Sequence, residues 1–238
     1  MGKKAKTMGI MKKIIIVHGW TYSLYKWNLF MDRLKKDAVS VTLLKIPGLT
    51  APLHTPWTLS DYVLWLKKII DQEKCKIILI GHSNGGRIAG AFSAQYPEKI
   101  AHLILIDSAG IIEQNIIGRL RRWFFKLLTN IGKKLPLYEK PRSFLQKLAQ
   151  SSDYHYATPI MRHTMINLIS TDCAPYFSKI TIPTLIIWGE KDSITPITYG
   201  KKIQRLIPHS TLSVIKLSKH SPYYTHTEEV YKIIKKIY

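Results

Sequence analysis

The chain has 238 residues, 46% of them hydrophobic, enough to fill one α/β-sized core and too few for several domains. Its 36 Lys/Arg against 15 Asp/Glu give a net charge of +21, and its 2 cysteines exclude a disulfide framework or a cysteine-built metal site. No apolar run approaches the length of a bilayer span, and the first one is too short for a signal-peptide core, so the expected compartment is the cytoplasm.

Residues 1–9 read as a basic tail and residues 10–238 as a single domain. The first strand is Ile14 to Val17, running into a His18-Gly19-Trp20 turn whose Trp20 amide can point at a developing negative charge, with His18 as its brace. Val39 to Leu44 reads as a second strand. Thr58 opens a helix, because Asp61 three residues on completes a capping box, and Val63, Leu66 and Ile70 give that helix an apolar stripe.

The stretch from residue 76 to 100 is the most telling. An apolar strand breaks on Gly81-His82-Ser83-Asn84-Gly85 and resumes as a helix that Pro97 closes. A strand that turns through GxSxG into a helix presents its serine on a sharp bend and aims helix amides at the charge formed beside it. Ser83 is therefore the expected nucleophile, and the Asn84 amide pairs with that of Trp20 as an oxyanion hole.

A strand at Leu103 to Asp107 follows, after which the alternation lapses between about residues 111 and 175. There Ile116, Leu120, Trp123, Leu127 and Ile131 recur at helical spacing, and Pro136, Pro141 and Pro159 divide the segment into short helices. It reads as an inserted helical cap, either a lid over an acyl pocket or a plain helical layer on the body. Beyond it come a strand at Thr184 to Trp188, a helix at Ile197 to Leu206, a strand at Thr211 to Leu217 and a last helix from near Thr227.

A serine nucleophile on an elbow needs an acid and then a histidine further along the chain. Asp192, in the loop after Thr184 to Trp188, is the preferred acid, with Asp107 and Glu190 as rivals. His220, in the loop before the last helix, is the preferred base, with His226 as its rival. His82 adjoins Ser83 and cannot easily reach its hydroxyl.

Together the segments HGW, GHSNGG, WGEKD and KHSPYYTH resemble the α/β-hydrolase superfamily, in particular its single-domain carboxylesterases and carrier-protein methyl ester esterases. The resemblance spans nearly the whole chain and includes the loop Pro47 to Leu49. It implies a mostly parallel sheet flanked by helices, with Ser83, Asp192 and His220 as the triad, Trp20 and Asn84 as the oxyanion hole, and no cofactor or metal. Members usually begin with two further antiparallel strands; only a short tail precedes Ile14 here, so the expected sheet is smaller.

The expected activity is hydrolysis of a small-molecule carboxylic ester through an acyl-enzyme. A carbon–carbon bond hydrolase, a carrier-protein methyl ester esterase and a non-catalytic binding protein of the same fold are the alternatives. The positive charge invites a polyanionic partner. Residues 111–175 hold 10 Lys/Arg against 4 Asp/Glu, a net +6 in 65 positions and no denser than the whole chain, and no nucleic-acid motif is present. An acidic carrier protein stays as a candidate partner, and nucleic acid does not.

Overall fold

A computed structural model of the protein describes residues 13–37, 39–112 and 157–238. Six strands form one sheet in the order β2-β1-β3-β4-β5-β6, every neighbouring pair parallel. They are β1 (Lys13–Val17), β2 (Ser40–Leu43), β3 (Ile77–His82), β4 (Ile100–Ile106), β5 (Thr184–Gly189) and β6 (Ser210–Ile215). Among the described residues the sheet is wholly parallel, in keeping with the mostly parallel sheet expected.

Parallel strands are covered on both faces, and the sequence supplies two apolar sides by alternation. Ile15, Val17 and Leu79 face one core with α2 (Leu59–Ile70) and α3 (Asn84–Gln95). Ile14, Ile16, Ile78 and Ile80 face another with α1 (Asn28–Lys35) and the last long helix, Thr227–Ile234. The Thr58 capping box is formed in both directions, and Val63, Leu66 and Ile70 are buried as their spacing required.

Several boundaries differ from the sequence reading: β2 is one residue shorter at each end, and β6 spans Ser210–Ile215 and so ends before Leu217. β4 starts at Ile100, three residues early, because that end pairs with Ile77 of β3, and it stops at Ile106, leaving Asp107 in the loop. Helix α1 was not legible, because Trp27 at its N-cap offers no capping side chain.

Of the 111–175 segment, residues 113–156 lie outside the described residues, and with them Ile116, Leu120, Trp123, Leu127 and Ile131. The described remainder is helical: α4 (Pro159–Ile169), with Pro159 in its first turn, and α5 (Ala174–Phe177). Its two ends meet, since the Cys173 amide donates to the Gly110 carbonyl at 2.8 Å. Helix α4 is tied to the body where Thr164 Oγ1 accepts from the Trp57 amide at 3.0 Å and Asn167 Nδ2 donates to the Trp57 carbonyl at 3.2 Å. The buried Arg87 guanidinium of α3 donates to the carbonyls of Leu168 and Thr171. After β5 come α6 (Ile197–Leu206), a single turn α7 (Pro222–Thr225) and α8 (Thr227–Ile234). Among the described residues no helix is long and apolar enough to cross a membrane.

Candidate active site

The elbow between β3 and α3 holds Ser83 at φ 51° and ψ −119°, a left-handed conformation that a non-glycine residue adopts only when its surroundings enforce it. Those surroundings are backbone bonds: the Ser83 amide donates to the Ile106 carbonyl at 3.0 Å, and the Ala109 amide donates to the Ser83 carbonyl at 2.9 Å. Glycine is required nearby for close approach. A Cβ on Gly85 would collide with the carbonyl oxygens of Val17 and His18, and one on Gly19 would stand 2.9 Å from the Ser83 Cβ. The elbow is thus pressed against the end of β1, which brings the His18-Gly19-Trp20 turn beside the serine.

The loop after β6 carries His220 back over this elbow. His220 Nδ1 lies 2.7 Å from Asp192 Oδ2, and its Nε2 lies 2.9 Å from Ser83 Oγ. A carboxylate only accepts, so Nδ1 carries the proton, Nε2 presents its lone pair, and the Ser83 hydroxyl donates to it. Asp192 is buried, and its Oδ1 accepts from the amides of Ile194 (2.8 Å) and Thr195 (3.0 Å). Burial alone would raise its carboxyl, but the bonds from His220, Thr195 and Ile194 outweigh that and hold it below the usual range.

Three contributors were not read from the sequence. Thr195, buried, places its hydroxyl 2.7 Å from Asp192 Oδ2, 3.1 Å from the Asp107 carbonyl and 3.3 Å from His220 Nδ1. His82 projects to the opposite side of the strand from its neighbour, and its Nε2 donates to the His220 carbonyl at 2.8 Å. Burial, then the nearby His220, pushes His82 down to about 3, so it stays neutral. Trp27 stacks on Tyr223 at 3.7 Å between centroids, and both meet the His82 ring edge-on. Strand alternation could have assigned the direction of His82; nothing local in the sequence marks Thr195 or Trp27.

The remaining candidates fall elsewhere. His18, buried, bonds the Gly19 carbonyl at 2.7 Å and Thr50 Oγ1 at 3.0 Å, and so braces the turn. Glu190 accepts from the Leu217 amide, and His226 meets Thr225 Oγ1 at the start of α8. Asn84 follows Ser83 as the first residue of α3, whose first amides have no intrahelical acceptor, and Trp20 follows Gly19, the residue that lies against the Ser83 Cβ.

Among the described residues one group has metal-ligand proximity: His82, Asp107 and His220, with one ligand atom each within 4.8 Å of one another. It does not suit a metal. Both ring nitrogens of His220 and one of His82 are engaged, leaving a single nitrogen of His82 and one oxygen of Asp107.

The sequence model of the alpha/beta hydrolase fold matches residues 12–227. The chain belongs to that family. A pimeloyl-[acyl-carrier protein] methyl ester esterase of Legionella pneumophila (strain Paris) is 24% identical over 221 residues, covering 90% of each chain. One of that name from Neisseria meningitidis serogroup B is 25% identical over 239 residues, covering 91% of this chain and 89% of the relative. The structure of MenH from S. aureus superposes with a TM-score of 0.71 at 20% identity, covering 97% of this chain and 94% of that one, a likeness of fold alone.

Proposed function

We propose that this alpha/beta hydrolase is a serine esterase, with Ser83 as nucleophile, His220 as base, Asp192 as acid and the Trp20 and Asn84 amides as oxyanion hole. The observation that carries the reading is the unbroken pair of hydrogen bonds from Ser83 through His220 to Asp192, 2.9 and 2.7 Å long. Ser83 Oγ attacks the ester carbonyl while His220 Nε2 takes its proton, and Asp192 stabilises the imidazolium. The tetrahedral oxyanion collapses, His220 returns the proton to the departing alkoxide, and an acyl-Ser83 remains. Water then repeats the sequence and releases the acid. No step calls for a metal or cofactor.

The chain is read as one domain over residues 10–238 with a helical cap at about 111–175, acting in the cytoplasm. The names of the two curated relatives favour a narrower second reading, in which the ester is a methyl ester borne by an acidic carrier protein. The net charge of +21 suits such a partner.

The test is a panel of nitrophenyl esters of increasing acyl length, run with and without a chelator, beside a fluorophosphonate that labels active serines. Turnover that survives chelation and one label on Ser83 are expected. Loss of activity on chelation, restored by zinc, would sink the serine mechanism. Turnover of a vinylogous diketone with none of any ester would replace it by carbon–carbon bond hydrolysis, and neither turnover nor label would leave a binding protein.

A further inference from the structure

Asp107 is the strangest residue near the site. It follows β4 at φ 43°, a conformation costly for a residue with a side chain, and it is wholly buried. Its Oδ1 accepts from the Gly189 amide at 2.8 Å, while its Oδ2 is shut off from water with no hydrogen-bond donor to accept from. A carboxylate oxygen left in that state is expensive to bury. One carboxylate oxygen of Asp107 nevertheless lies within 4.8 Å of ring nitrogens of both His220 and His82.

We propose that Asp107 is a positioning residue of the esterase machinery, a neutral carboxylic acid behind Asp192 that forms with it a pair carrying one negative charge and can take over as counter-ion to His220. The proposal rests on the reading of Ser83, His220 and Asp192 given above.

As a carboxylate, Asp107 Oδ2 has nothing to accept from; as an acid it supplies its own proton, and the Asp192 carboxylate, whose Oδ2 shares the Thr195 hydroxyl with the Asp107 main-chain carbonyl, is the charged group in reach to take it in the proposed pair. The groups around it agree. Burial and then the charge of Asp192 drive the Asp107 carboxyl well above the usual range. His82 is neutral, Tyr223 is a buried phenol raised by burial, and the Thr195 hydroxyl bonds the Asp107 carbonyl rather than its side chain. No cation stands among these neighbours to pair with a second negative charge. Two carboxyls in one dry site hold a single charge between them, because the second ionisation is opposed by both desolvation and the first. If Asp192 is removed, that opposition is relieved. Asp107 then loses its proton to solvent and becomes the anion facing the imidazolium of His220.

The experiment compares wild type, Asp107→Asn, Asp192→Ala and the double variant of the full chain on one nitrophenyl ester. Alanine at 192 avoids an amide that would donate to His220 Nδ1 and trap the wrong tautomer. In the wild-type background Asp107→Asn, itself neutral and of the same shape, should cost less than about threefold in kcat, and in the Asp192→Ala background more than about tenfold. The same fold-loss in both backgrounds overturns the proposal.

Isotope-edited infrared spectra of the folded wild type at neutral pH provide a reading that needs neither turnover nor the alanine variant. They should show the carbonyl stretch of a protonated aspartic acid, gone in Asp107→Asn; its absence from the wild type overturns the proposal. Ser83→Ala run alongside separates the two readings: full turnover there removes the serine mechanism, while the infrared band stands or falls by itself.

Discussion

His82 Nε2 donates to the backbone carbonyl of His220 at 2.8 Å, so the residue beside the elbow serine ties down the loop that carries His220. The ring stays neutral because it is buried, and a neutral imidazole with Nε2–H is the tautomer that can make this bond. Replacement by phenylalanine keeps the shape and removes the donor. We expect His82→Phe to lower kcat about tenfold with KM little changed, and His82→Gln, which can restore a donor near Nε2, to recover most of it. Equal losses in both variants would show that the ring's packing, and not its bond, is what matters.

Asp192→Asn should be crippled by about three to four powers of ten in kcat, because the amide donates to Nδ1 and leaves Nε2 protonated towards Ser83. Asp107→Asn should keep most activity. The reverse ranking in matched kinetics would transfer the acid to the loop after β4.

Stability at acid pH should fall for a reason that can be assigned. His82 and His18 are held at about 3 and about 4 in the fold, against 6.5 for the free side chain, in both cases chiefly by burial. As pH drops below 6.5 the unfolded chain takes up these protons first, so the fold loses stability progressively until the pH reaches the folded values. Each histidine contributes a slope of up to about 1.4 kcal/mol per pH unit. Asp107, shifted upwards by burial, acts in the opposite sense, so the histidine part is read by difference. Urea midpoints at a series of pH values for wild type, His18→Gln and His82→Gln should show a shallower acid slope in each variant; parallel slopes would contradict the assignment.

Gly85→Ala should be poorly tolerated, since the added methyl meets the carbonyl of Val17, the last residue of the internal strand β1, and that of His18 in the turn directly after it. We expect a loss of about 3 kcal/mol or more, measured by denaturant unfolding. A variant as stable as wild type would mean that β1 and the elbow are not in contact.

Docking of an acidic carrier can be tested on Arg119, Arg121 and Arg122, three basic residues of the insert that lie outside the described residues. Changed together to alanine, they should raise KM for a carrier-linked ester, most at low ionic strength, and spare a small nitrophenyl ester. Unchanged kinetics on the carrier-linked ester at low salt would leave a small-molecule esterase.

The sequence by itself determined the alternating strand-and-helix order, the elbow at Ser83 and the loops that carry Asp192 and His220. Each has a local cause: alternation of apolar residues, a capping box at Thr58, and glycines flanking a serine where a strand becomes a helix. Periodicity along the chain reports which face of an element is buried, and loop position relative to strand ends reports which side chains can gather at one edge of a parallel sheet. Only the tertiary structure decided what surrounds those residues. The bond from His82 to a carbonyl 138 positions away, the Thr195 hydroxyl between two aspartates, and the sealed oxygen of Asp107 depend on how separate strand ends meet in space. Asp107 and Asp192 were rivals for one role as long as they were read as sequence, since each follows an apolar strand. Adjacent parallel strands bring both residues to the same edge, where both are buried, but Asp192 Oδ2 bonds His220 Nδ1 while Asp107 Oδ1 bonds the Gly189 amide, a difference in partners that the chain alone does not show.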